Sequence, residues 1–136
     1  MSWLVSTVPT VPVARAVVLV ADDEPLTRWA LRRTLERAQF DVSLAATRDE
    51  VCDLLDTCGF HVAVMSHELG HHSMIDVLNG LSCDHRVRGL VILYDGESAD
   101  DVRRGFPAAV VVQKPFGLEA VTAAVEGFLE AASEAC

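Results

Sequence analysis

The sequence contains no uninterrupted apolar stretch of the roughly eighteen residues that a membrane-spanning helix requires, although hydrophobic residues make up 51% of it. It is also short of positive charge. Eleven Lys and Arg stand against twenty Asp and Glu, giving a formal net charge of −9 and a pI near 4.8. Such a surface repels phosphate backbones and anionic headgroups, so neither nucleic acid nor membrane is expected as a partner. A protein surface or a cation is expected instead. The four cysteines, Cys52, Cys58, Cys83 and Cys136, show neither C-x-x-C spacing nor the density of a disulfide scaffold, which points to a reducing cytoplasm. The opening MSWLVSTVPTVPVA lacks a basic start, and Pro9 and Pro12 interrupt its apolar content. Residues 1–14 are therefore read as a flexible leader, and residues 15–134 as one domain with one core.

Within that domain, short apolar runs alternate with amphipathic stretches, and the hydrophobic period switches repeatedly between strand-like and helix-like. Strands are expected over Ala16 to Ala21, Phe40 to Ala45, His61 to Met65, Gly89 to Tyr94 and Ala109 to Gln113. Helices are expected over Pro25 to Ala38, Arg48 to Thr57, Ser73 to Leu81, Ala99 to Arg104 and Leu118 to Ala132. This alternation implies an α/β fold with a five-stranded parallel sheet covered by helices on both faces. Ligands of such sheets bind beyond the carboxyl ends of the strands. Those ends carry Asp22 and Asp23, Ser66, Tyr94 and Lys114.

The stretches VLVADDEPLTRWALRRTLERAQFDV and VVVQKPF resemble the receiver domain of two-component response regulators. The resemblance spans roughly residues 15 to 132 and implies a flavodoxin-like (βα)5 doubly wound sandwich. In that family paired acids bind magnesium and an aspartate ending strand three takes a phosphoryl group. A Thr or Ser ends strand four, and a lysine after strand five contacts the phosphoryl oxygens. By resemblance, Asp22 and Asp23 are the acid pair and Lys114, followed by Pro115, is the lysine. Three positions depart from the pattern. Ser66 stands at the phosphoacceptor position, Tyr94 replaces the small hydroxyl residue, and Val111 occupies the aromatic switch position.

An acyl phosphate forms only when a carboxylate attacks the phosphoryl group in line, and a serine hydroxyl with no adjacent base does not supply that nucleophile. Loss of one of three carboxylates also lowers affinity for a hard cation, so no cofactor is required and magnesium binding is expected to be weak. Lys114 is then expected to pair with Asp22 or Asp23 in a constitutive pocket, with Tyr94 filling the room a small hydroxyl would leave. Neither the acceptor nor the switch pair of the family is present.

A second motif competes for attention. HELGH, His67 to His71, matches H-E-x-x-H, in which two histidines one helical turn apart hold zinc and the intervening glutamate, here Glu68, deprotonates a bound water. The pattern works inside a long helix, where Gly70 costs about 1 kcal/mol relative to alanine. Met74 and Val77 occupy the downstream places where one group of such enzymes has its glycine and third histidine, and Glu97 is the only later glutamate at a usable distance. In the receiver frame the same residues form the loop after strand three. That frame leaves one metal alternative, a mixed site in which His67, His71 and His72 approach Asp22 and Asp23.

On a helical wheel the first helix buries Thr27, Ala30, Leu31, Thr34, Leu35 and Ala38, and turns Arg28, Arg32, Arg33, Glu36 and Arg37 outward. Trp29 falls on the charged side. It is a candidate partner contact, with a flat indole under arginine stems as the alternative. In receivers this helix helps to dock kinases and phosphotransfer partners. The last helix places Leu118, Val121, Val125, Phe128, Leu129 and Ala132 on its core side, while Glu119, Glu126 and Glu130 face out without a pairing code. Helix four is shortened, and a homodimer through the surface it shares with strand five and helix five stays open.

The expected function is that of a stand-alone pseudo-receiver in phosphorelay signalling. It would not be an enzyme, and would bind a protein such as a histidine kinase or another regulator without taking phosphate. No output domain is expected after the last helix. Two alternatives stay open: a phosphorelay receiver regulated by modification or metal binding at the pocket, and a zinc metallopeptidase built on HELGH.

Overall fold

A computed structural model describes residues 16–84 and 87–135. The leader, residues 1–14, and Cys136 lie outside the described residues, as do the side chains of Glu130 and Ala132. The chain runs β1 (Val17–Ala21), α1 (Pro25–Arg37), β2 (Asp41–Ala45), α2 (Arg48–Thr57), β3 (Val62–Ser66), β4 (Glu68–Leu69) and β5 (His72–Ser73). It continues through α3 (Ile75–Ser82), β6 (Gly89–Tyr94), α4 (Asp100–Gly105), β7 (Val110–Gln113) and α5 (Leu118–Ala135). Five strands pair in parallel in the order β2-β1-β3-β6-β7. The order reverses between β1 and β3, so the crevice of the doubly wound sheet opens where Ala21 and Ser66 end their strands.

Side-chain alternation along the central strands builds two cores. Val18 and Val20 of β1, with Val62, Val64, Val91 and Leu93, face α1 and α5, where Leu31, Leu35, Val121 and Val125 meet them. Leu19 and Ala21, with Ala63, Met65, Leu90 and Ile92, face the other way onto Val51, Leu78 and Phe106. Strands buried on both faces read as continuous apolar runs, which is why VVLVA, VAVM and LVIL carry no polar residue. Local signals set the helix starts. Pro25 sits in the first turn of α1, where its missing N–H costs nothing. Thr47 caps α2 by accepting from the Glu50 amide at 3.2 Å, while Glu50 reaches back to the Ala46 amide at 2.6 Å.

Two expectations need correction. Residues 67–74 do not form an open loop: β4 and β5 pair antiparallel, Glu68 opposite Ser73 and Leu69 opposite His72, with Gly70 at the tip in the left-handed region (φ +63°). Buried Leu69 and Met74 anchor this hairpin to the core, and the Met74 amide closes it onto the His67 carbonyl at 2.9 Å. Helix α3 consequently starts at Ile75 rather than Ser73. Arg28 does not turn outward either, because its stem carries the guanidinium back along α1 to the carbonyl of Asp22 at 2.8 Å. Elsewhere on α1, Leu31 and Leu35 are fully buried, while Thr27, Ala30, Thr34 and Ala38 are half-buried.

Candidate functional site

The carboxyl edge of the sheet gathers the acid pair and the lysine. Asp22 leaves β1 fully buried, and its amide stays in the sheet by donating to the Ala45 carbonyl at 3.2 Å. Its carboxylate is fully engaged. One oxygen accepts from the Glu24 amide at 2.9 Å, and the other accepts from Lys114 Nζ, also at 2.9 Å. Lys114 is delivered by β7, whose register carries the Lys114 amide onto the Tyr94 carbonyl at 2.8 Å, and the bond to Pro115 is cis. A buried carboxylate without a cation is strongly disfavoured, so this pair holds the β1 and β7 ends together electrostatically as well as through the sheet between them. Asp23, by contrast, is exposed, and one of its oxygens accepts from the amide of Gly70 at 3.0 Å. The hairpin tip therefore reaches the acid pair through backbone, not through its histidines.

The β3 and β6 ends are uncharged. Ser66 is 2% exposed at the end of β3. Tyr94 ends β6 half-buried, and its ring packs against His67 with centroids 4.6 Å apart and planes tilted by 49°. A Cβ on Gly96 would run into that same tyrosine ring, so the glycine is what lets the ring lie there. His67 is fixed further by its amide, which donates to the Leu93 carbonyl at 3.0 Å. Its Nδ1 is buried without a hydrogen-bond partner, the one such side-chain atom among the described residues. Val111 is half-buried in β7 and packs into the core on the α2, α3 and α4 side.

Solved structures share this architecture, among them the three that follow. The chemotaxis response regulator CheY4 of Vibrio cholerae superposes with a TM-score of 0.73 at 18% identity, over 85% of this chain and 99% of that one. The Francisella response regulator 1452 receiver domain gives 0.76 at 21% identity, covering 87% and 99%. A CheY-like receiver domain protein from Methanospirillum hungatei gives 0.75 at 16% identity, covering 90% and 100%. The chain has the receiver fold. No family model matches the sequence, and no curated protein is found as its relative.

Within the receiver fold, Asp22, Asp23, Ser66, Tyr94 and Lys114 all lie at the carboxyl edge of the sheet, and of the charged three, Asp22 and Lys114 are in direct contact. HELGH is not wound into a helix, so His67 and His71 do not share a helical face as zinc proteolysis requires. Nor do the described residues, His67, His71, His72, Asp22 and Asp23 among them, gather three His, Cys, Asp or Glu side chains into a cluster able to hold a metal. Trp29 is 56% exposed, and the guanidinium of Arg33 stands 5.0 Å over its ring. The indole therefore stacks with an arginine, as the alternative reading expects, while more than half of its surface stays exposed.

Five contributors escaped sequence reasoning. The amides of Glu24 and Gly70 act through backbone, which leaves no residue-type signal beyond the glycine that a positive φ favours. Arg28 has a signal in its place one turn inside the helix that follows the acids. Gln113 carries one as a polar residue at the end of an otherwise apolar strand, and it donates to the carbonyls of Gly96 and Glu97 at 2.6 and 3.1 Å, pinning the loop after β6. Finally, Leu26 is 76% exposed on α1 and lines a cleft with Thr27, Ala30, Phe116 and Leu118 that ends at Lys114.

Proposed function

We propose that the chain is a receiver-like signalling module that acts by binding another protein, in the cytoplasm, and has neither catalytic activity nor an aspartyl phosphate of its own. The observation that carries this reading is Ser66, a buried neutral hydroxyl at the end of β3, while Lys114 and Asp22 at the same edge of the sheet are already joined to each other. Phosphoryl transfer to a carboxylate needs a free anionic nucleophile and an uncommitted cation beside it. Burial of Ser66 also speaks against its modification by another enzyme. The acids do not offer a ready magnesium site: both oxygens of Asp22 and one of Asp23 accept hydrogen bonds, whereas hard cations require several available oxygens.

What supports a protein partner is α1. Leu26 and Trp29 expose apolar surface beside the cleft, and arginines flank them on a chain whose net charge is −9. Aromatic residues and arginine are the side chains that most often carry binding energy at protein interfaces. A histidine kinase or another regulator fits this surface by analogy with the receiver fold.

The test is direct. Purified protein is incubated with acetyl phosphate and magnesium and its intact mass is recorded before and after alkaline treatment. No alkali-labile phosphoryl adduct is expected. A stoichiometric adduct mapping to any aspartate would overturn the reading.

A further inference from the structure

The hairpin over residues 67–74 has no role in the module just described, yet it touches the acid pair at one point. That point is the amide of Gly70, 3.0 Å from Asp23. We propose that this hairpin is an intramolecular strap whose tip competes with divalent cations for Asp23, so that cation binding and hairpin order are coupled. The inference rests on the reading that the acid pair is not a ready magnesium site and names the cause of that disagreement with the receiver family.

Two features support a strap rather than a passive loop. First, the contact uses the one residue of the turn able to hold φ +63° without strain, and a Cβ there would meet nothing within 4 Å. Conformation, not packing, therefore selects glycine at this position. Secondly, the strap is anchored at both roots. Leu69 and Met74 are buried, and the His67 ring is stacked on Tyr94. Opening can thus be confined to the tip, where Gly70, His71 and His72 are exposed. A tip held by one solvent-exposed hydrogen bond is displaced by a modest competing interaction. Coupling of this kind is reciprocal: a cation that takes Asp23 loosens the hairpin, and whatever binds the hairpin releases Asp23.

The test is a magnesium chloride titration of the 15N-labelled full chain, following the Gly70 amide, in wild type and in Ser66→Asp, Ser66→Asp/Gly70→Ala and Ser66→Asp/Gly70→Pro variants. Ser66→Asp restores the third carboxylate while leaving the strap in place. Gly70→Ala strains the tip but keeps its N–H, and Gly70→Pro removes the N–H altogether.

Loss of one hydrogen bond to a charged group predicts magnesium affinity about tenfold or more higher in the Pro double variant than in Ser66→Asp alone, with the Ala double variant between them. In wild type and Ser66→Asp, the Gly70 amide shift should move in step with magnesium occupancy. Equal affinity across the three variants, or magnesium binding that leaves the Gly70 amide unmoved, overturns the strap. If the Pro variant does not fold, the Ala variant and the wild-type amide shift decide the matter. These readouts are independent of the acetyl phosphate result, so failure of one proposal is distinguishable from failure of the other.

Discussion

The carboxyl edge of the sheet divides into two halves built on different physics. On the β1 and β7 side, buried Asp22 and partly exposed Lys114 form an ion pair supported by the Glu24 amide and, through the Asp22 carbonyl, by Arg28. On the β3 and β6 side the same edge is closed by Ser66, the His67 and Tyr94 rings, and the hairpin. The first half keeps the charges that a receiver uses, while the second replaces charge with packing. In the charged half Lys114 is the structural partner of Asp22, and the pair acts as a clasp between the β1 and β7 ends.

The comparison breaks most visibly at Lys114, the only lysine in the sequence. Lys114→Ala leaves Asp22, which is fully buried, without its counter-charge. Removal of one partner of a buried pair costs about 3 kcal/mol or more. Urea denaturation should show that loss, and adding Asp22→Asn should recover much of it, because the second change removes the uncompensated charge. A double variant no more stable than Lys114→Ala alone would show that the lysine matters through packing. Because the lysine is unique, acylation followed by peptide mapping reads the clasp separately: Lys114 should react faster in Asp22→Asn than in wild type.

A smaller effect is expected at the hairpin tip. Gly70→Ala forces a Cβ into the left-handed region, which costs about 1–2 kcal/mol, but the hairpin is a local element. Global stability should fall by no more than that, while hydrogen exchange at the amide of residue 70 should speed up markedly. Exchange unchanged at residue 70 would mean that the contact with Asp23 does not protect it.

The uncharged half is sharpened by Tyr94→Thr, which installs the hydroxyl residue that receivers carry there. The tyrosine is half-buried, so the loss of ring packing on His67 should cost about 1 kcal/mol. The informative outcome is chemical. With Ser66 unchanged, the variant should remain free of an alkali-labile phosphoryl group after acetyl phosphate treatment, because no carboxylate ends β3.

Why some of this was legible in the residues and some was not follows from range. The five principal strands and all helices were readable because each carries an apolar run or an apolar period over at least four residues, and α2 spans the expected Arg48 to Thr57. The hairpin was not, since two-residue strands have no period and their pairing depends on Leu69 and Met74 finding the core. Ionic chemistry narrowed the partner of Lys114 to two acids. Only the fold chose between them, by burying Asp22 and leaving Asp23 exposed. Arg28 was misplaced because a helical wheel gives the direction of a Cβ and not the reach of a long side chain.

The smallest expected effect on stability, and the one that bears most on partner binding, is at Trp29. The indole is 56% exposed and contacts the Arg33 guanidinium, so Trp29→Ala removes little buried surface and a solvent-facing cation–π contact of about 0.5–1 kcal/mol. The midpoint of thermal unfolding should barely move. Affinity for any protein partner captured by the full chain should instead fall by about thirtyfold or more, the loss associated with an aromatic anchor at the centre of an interface. Arg33→Lys discriminates further, since it keeps the charge but loses the planar stacking, and should give a smaller loss on the same surface. Equal partner binding by wild type and Trp29→Ala would return α1 to a solvated charged face and move the search for the docking surface elsewhere on the molecule.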